Sequence, residues 1–173
     1  SSAASDVYKR QVIDNVNRYN EIFGLETKHP LVSIIDLTKS TTWPTRAWFR
    51  YEVYALFLKN VKCGDIKYGR QYYDYQDGTI VCFGPGQITD LELIQNIQPN
   101  AHGLLFHPDL IRGTSLGQEI KNYSFFSYET NEALHLSEEE RQIVMDCLQK
   151  IAIELNHAID RHSRRPVSYT HLT

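Results

Sequence analysis

The chain has little of what enzymes, membrane proteins and nucleic-acid-binding modules usually display. No run of about 18 apolar residues occurs, so no segment is long enough to cross a bilayer as a helix. Basic residues do not outnumber acidic ones: 18 stand against 21, for a net charge of −3. A duplex-binding module normally carries a basic excess, so these residues alone are not expected to hold DNA. Cysteine is scarce. Cys63, Cys82 and Cys147 are an odd set without Cys-x-x-Cys spacing, which predicts free buried thiols in a reducing cytosol. The N-terminus lacks the apolar core of a signal peptide, and the expected location is cytoplasmic.

Reactive constellations are also missing. There is no Gly-x-Ser-x-Gly elbow, and no cysteine stands in a histidine-paired context. Gly84-Pro85-Gly86 lacks the lysine and hydroxyl of a phosphate loop, and its proline removes a donor. The seven histidines are scattered, and His157 and His162, five apart, do not make a ligand pair on a helix. The sequence therefore predicts no catalytic residue, no metal ligand and no cofactor.

What is present is β-forming. Apolar residues make up 42% of the chain and aromatics 12%, with 11 tyrosines, enough for one domain with a real core. The organising stretch is residues 62–87, which reads as strand, turn, strand, turn, strand. Tyr68-Gly69-Arg70 breaks one aromatic run, Asp77-Gly78 is a turn dipeptide, and Thr79 to Phe83 ends at Gly84-Pro85-Gly86. Short strands with turns at this spacing indicate an antiparallel sandwich or barrel.

Around that stretch the chain reads in order. Val12, Val16, Tyr19 and Phe23 repeat at helical spacing and stop at Gly24. Leu31 to Leu37 is the first credible strand, and Lys39 to Thr45 is a polar loop. A single strand is expected from Ala47 to Leu58, with Arg50, Glu52, Tyr54, Leu56 and Leu58 on one face. Its other face, Tyr51, Val53, Ala55 and Phe57, is wholly apolar. Glu92 to Pro99 is a polar excursion, His102 to Phe106 a strand that His107-Pro108-Asp109 stops, and Tyr123 to Tyr128 a strand or edge segment. Leu110 to Gly117 between them reads as a short helical turn and loop. Ser137-Glu-Glu-Glu140 is a capping box opening a helix to about His162.

Several stretches together resemble one family. Gly64, Gly78 and Pro85-Gly86 fall where the small jelly-roll barrels called cupins place the glycines of their two motifs. Tyr19-Asn20 with Gly24 to Leu31, residues 55–64, residues 104–115 and residues 132–137 resemble the N-terminal sensor domain of AraC-type bacterial transcription regulators. The resemblance spans Val12 to Arg165. It implies a mainly β fold with helices: a small antiparallel jelly-roll (cupin-like) barrel preceded by a short helix and followed by a long amphipathic C-terminal helix. On this reading 12–135 is the barrel, 136–165 the helix, and 1–11 and 166–173 are non-native tails. The helix-turn-helix unit that the resemblance implies is missing from the chain, and DNA would be contacted only through it.

Catalytic cupins hold an ion with a histidine pair, a glutamate and a later histidine. Counting back from Gly64 places those ligands near Arg50, Glu52, Phe57 and Ile88 or Thr89, where no histidine stands. Binding remains. Arg46, Arg50, Glu52 and Tyr54, with Trp43 and Trp48 beside them, are expected to form a barrel mouth for a small polar or anionic effector. The alternative for Arg50 and Glu52 is a surface ion pair. The helix stripe Val144, Leu148, Ile151 and Leu155 either joins two subunits in a homodimer or only covers the sheet. Two rival readings stand beside the sensor: a stand-alone cupin enzyme, and an interaction module with a filled barrel.

Overall fold

Asn15 starts the first helix: its Oδ1 accepts from the Arg18 backbone N–H at 2.8 Å, filling one orphan donor of the first turn. Gly24, at φ 65°, ends that helix in the left-handed region. A Cβ there would also meet the Thr41 hydroxyl, which would have to turn away. The helix, α1, spans Val16–Phe23 and buries Val16, Tyr19, Asn20 and Phe23. The computed structural model describes residues 10–59, 66–68, 71–73, 78–126 and 133–172.

Ten strands are described. They are β1 (Arg10–Ile13), β2 (Val32–Asp36), β3 (Arg46–Tyr51), β4 (Tyr54–Lys59), β5 (Ile66–Tyr68), β6 (Gln71–Tyr73), β7 (Thr79–Phe83), β8 (Ile88–Glu92), β9 (Ala101–Phe106) and β10 (Leu134–His135). One sheet has the order β1-β3-β8-β5-β6, the other β10-β7-β4-β9-β2. All pairs are antiparallel except β1 with β3. A short helix, α2 (Ser115–Glu119), precedes the long C-terminal helix α3 (Glu138–Leu172).

The fold is mainly β with helices, and its strands form two sheets rather than a closed barrel among the described residues. One core fills the space between the sheets. Ala47, Phe49 and Tyr51 enter from the first sheet, and Ala55, Phe57, Val81, Phe83 and Leu105 from the second. α1 plugs the same space: Tyr19 stacks on Phe23 at 4.6 Å and reaches Phe49 at 6.3 Å and Phe57 at 5.7 Å. Burying each of these rings stabilises the fold by roughly 1.5–3 kcal/mol.

The second sheet is covered on its outer face too. Leu58, Ile80 and Cys82 meet Val144 and Met145 of α3 there, and Val32 and Phe106 meet Ile111, Ile120 and Leu155. That double cover explains why β7 is buried at every position.

Four expectations change. The strand expected from Ala47 to Leu58 is two strands in different sheets, broken at Glu52 and Val53. The Glu52 N–H makes the last rung of the β1–β3 ladder, to the Ile13 carbonyl at 2.9 Å, while Tyr51 is held by Gln87 and Gly86. Alternation continues across the break, so periodicity alone could not reveal it. Val12 belongs to β1, not to the helix, and Arg10 and Gln11 pair with Trp48 and Phe49. The polar excursion expected from Glu92 begins one residue later, because Glu92 closes β8, a strand that the sequence left unassigned. Ser124–Phe126 is a 3-10 turn rather than a strand, and residues 127–132 lie outside the described part. The turns at Gly64, Gly69 and Asp77 also lie outside it, whereas Gly78 has φ 77° and donates to the Lys59 carbonyl at 3.0 Å.

Candidate functional site

β4 sets up the candidate site. Its inward residues are Ala55, Phe57 and Lys59, so the same parity that fills the core delivers a lysine to its end. Lys59 is only 3% exposed. It lines a cavity between the sheets whose walls are the rings of Tyr19, Phe23, Phe49, Tyr51, Phe57 and Phe83. Thr89 and Asn100 add polar atoms, and Leu37, Leu91, Leu93, Pro99 and Ala101 complete the lining. Burial first, and then the neighbouring Tyr51, holds the Tyr19 phenol well above its ordinary pKa, so this wall stays neutral.

The cavity measures about 40 Å³. Since one water needs at least roughly 10–15 Å³, it has room for about three waters, or for one small apolar group if the rings shift. An apolar lining with a few polar groups suits recognition of a small molecule. Among the described residues no three His, Cys, Asp or Glu side chains gather in a way that could hold a metal ion.

The four residues expected at a barrel mouth do not line this cavity. Arg46 lies on the outer face of the first sheet, 3.3 Å from Glu92 and 3.8 Å from the buried Asp90. Arg50 pairs with Glu52 at 3.0 Å, both well exposed, in the surface arrangement that contributes little. Tyr54 is in the other sheet, on its outer face, stacked on Phe106 at 5.1 Å and edge-on to Phe126 at 5.4 Å. Trp48 lies under the Arg10 guanidinium, and the Trp43 indole N–H donates to the Ile94 carbonyl at 3.2 Å. The corner at Glu52 separates Tyr54 from the three charged residues, because the chain changes sheets there.

Sequence reasoning missed Lys59, Thr89 and Asn100. For Lys59 a signal existed: the inward series Tyr51, Val53, Ala55 and Phe57, extended by one step, reaches it. Thr89 needed β8, a strand to which the sequence pattern gave no assignment.

The helix stripe has a partner within the chain. Leu148 is buried, Val144 and Leu155 pack on the second sheet, and Ile151 is half-buried. Ile143 and Ile153 remain exposed on α3.

No family model matches the chain, and no curated protein matches it. Among solved structures it is similar to the apo form of a single-site variant of ToxT from Vibrio cholerae strain SCE256. The TM-score is 0.45 at 10% identity, over 82% of this chain and 56% of that one.

Proposed function

We propose that this chain is the effector-sensing and dimerisation unit of an AraC-like transcription regulator. In this reading DNA is contacted by a helix-turn-helix unit beyond these 173 residues, and an effector enters the cavity between the sheets. The observation that carries the reading is the cavity: six aromatic rings with Lys59, Thr89 and Asn100 as its polar groups. The sequence stretches that resemble the family add to it. An effector would act by binding one arrangement of the domains more tightly than another, which requires differential affinity. The subunit contact is assigned to α3, whose exposed Ile143 and Ile153 are left over from sheet packing.

Reading the gene past Arg165 and testing the longer product on its own upstream DNA is the experiment. Two helix-turn-helix units and a gel shift that responds to a small molecule support the reading. A stop codon soon after Arg165 removes the DNA-binding role.

A second reading, a non-catalytic interaction module with a filled interior, is favoured by the cavity's small size of about 40 Å³. Thermal-shift screening separates the two, since a filled interior gains no stability from small molecules.

A further inference from the structure

Strand β2 is an edge of the second sheet, paired only with β9 among the described residues. The His107 N–H donates to the Leu31 carbonyl at 2.8 Å, which fixes the phase of that ladder. In an antiparallel pair a residue's N–H and C=O point to one side, and the side alternates along the strand. Leu31, Ser33 and Ile35 therefore turn their backbone groups to β9, while Val32, Ile34 and Asp36 turn theirs outward. No described residue takes up those outward groups.

A cleft of about 380 Å³ runs along this edge, lined by Val32, Ser33, Ile34 and Asp36. Its other walls are the connector 24–28 and the stretch of α3 around Leu155. The Lys28 ammonium donates to Asn156 Oδ1 at 3.0 Å and ties those two walls together. Exposed edges are normally blunted by proline, lysine or a covering element. β2, Val-Ser-Ile-Ile-Asp, itself carries neither residue; Lys28 and Lys39 line the cleft, and the connector and helix leave a gap beside the strand.

We propose that this cleft takes a single extended peptide, added to β2 as a further strand. The outward residues offer N–H and C=O groups in the repeat of an extended backbone, which a compact small molecule does not match. Walls tied at Lys28 and Asn156 favour a single chain over the edge of a second folded sheet, which would bring its own covering layers against them. Val32, Ile34 and Leu155 favour apolar side chains at alternate positions of the guest. The proposal is independent of any effector between the sheets.

Amide-resolved hydrogen exchange on the 173-residue chain tests it. The probe is acetyl-Thr-Val-Thr-Val-Thr-Val-amide at millimolar concentration, compared with the same peptide methylated at alternate amide nitrogens. The expected result is new protection at Val32, Ile34 and Asp36, none added at Ser33 and Ile35, and no effect of the methylated peptide. Ile34→Pro removes an outward donor without touching the β9 ladder, so the chain should fold and bind the probe about three- to tenfold more weakly. Ile34→Ala keeps the donor and reports the side chain separately. Equal binding of both peptides, or no new protection at millimolar probe, overturns the proposal. So does protection of the three amides in the free chain that grows with protein concentration, which would assign the edge to a second copy.

Discussion

Tyr51 of β3 and Phe83 of β7 lie face to face, 4.9 Å between ring centroids and 4° between planes. One residue comes from each sheet, so this pair is a direct contact across the sandwich. Phe83 also meets Phe57 at 6.1 Å. Phe83→Ala should cost about 3–5 kcal/mol, because the lost burial adds to a cavity that the remaining rings cannot close. Urea unfolding measures it, and an unchanged midpoint would show that the stacked pair does not join the sheets.

Gly103 sits opposite Phe57 in the β4–β9 ladder. A Cβ there would lie 2.7 Å from both the Leu56 carbonyl oxygen and Phe57 Cδ1. Gly103→Ala should therefore destabilise the chain by about 1–3 kcal/mol through overpacking. A melting temperature equal to the parent's would mean that β9 can move away from β4.

The start of α3 carries a pH dependence. The Ser137 N–H donates to Glu140 Oε1 at 3.0 Å, and the Glu140 N–H donates to the Ser137 hydroxyl at 3.2 Å. Hydrogen bonds from the Ser137 backbone, then from its side chain, hold the Glu140 carboxyl below its ordinary pKa, and a bond from Arg141 does the same for Glu138. Both groups have folded values below their unfolded ones. Their stabilisation is therefore present above the ordinary carboxylate range and is lost as pH falls through the folded values. Glu140→Gln should flatten the acid limb of the stability curve and match the parent at low pH. Ser137→Ala should cost about 1 kcal/mol at neutral pH.

The described thiols differ in reactivity. Burial pushes the Cys82 thiol up to about 12, whereas Cys147 is exposed on α3. A thiol-specific disulfide reagent at neutral pH, followed by peptide mapping, should label Cys147 promptly and Cys82 only after denaturation. Prompt labelling of Cys82 would show that the helix leaves the second sheet under native conditions.

Leu148 is 5% exposed and Ile143 is 56% exposed, on the same helix. Leu148→Ala should lower stability by about 2–5 kcal/mol and Ile143→Ala by less than about 0.5 kcal/mol. Sedimentation of the same two variants reads the subunit contact. A dimer weakened by Ile143→Ala, with unchanged stability, would place the exposed side of α3 in it.

Much of the fold was legible where one residue type has one local use. Ser137 and Glu140 form the capping box, Gly24 stops α1, and His107 and Pro108 end β9. Tyr51, Val53, Ala55 and Phe57 face inward as their alternation requires. The sheet change at Glu52 was hidden because period-two alternation passes through a corner unaltered. β8 was hidden because Asp90, buried at 2% exposure near Arg46, makes a polar sequence out of an interior strand. The aromatics after Tyr123 suggested a strand, yet Ser124–Phe126 is a 3-10 turn, from which Phe126 caps the outer face of the second sheet against Tyr54. The site was less legible than the fold. Arg50 and Glu52 looked like ligand groups by composition, yet the alternation that turns Tyr51 and Val53 inward turns both of them away from the cavity.

The corner at Glu52 and Val53 constrains how the gene can change length. Tyr51 and Ala55 both face the core although they belong to different sheets, and only three residues separate them. One inserted residue would turn β4 over, sending Ala55, Phe57 and Lys59 towards α3 and Tyr54, Leu56 and Leu58 into the sandwich. Two inserted residues would restore the faces. Natural variants of this fold that lengthen the corner should therefore do so in even steps, and a codon deleted there should be lethal to folding where a pair is not.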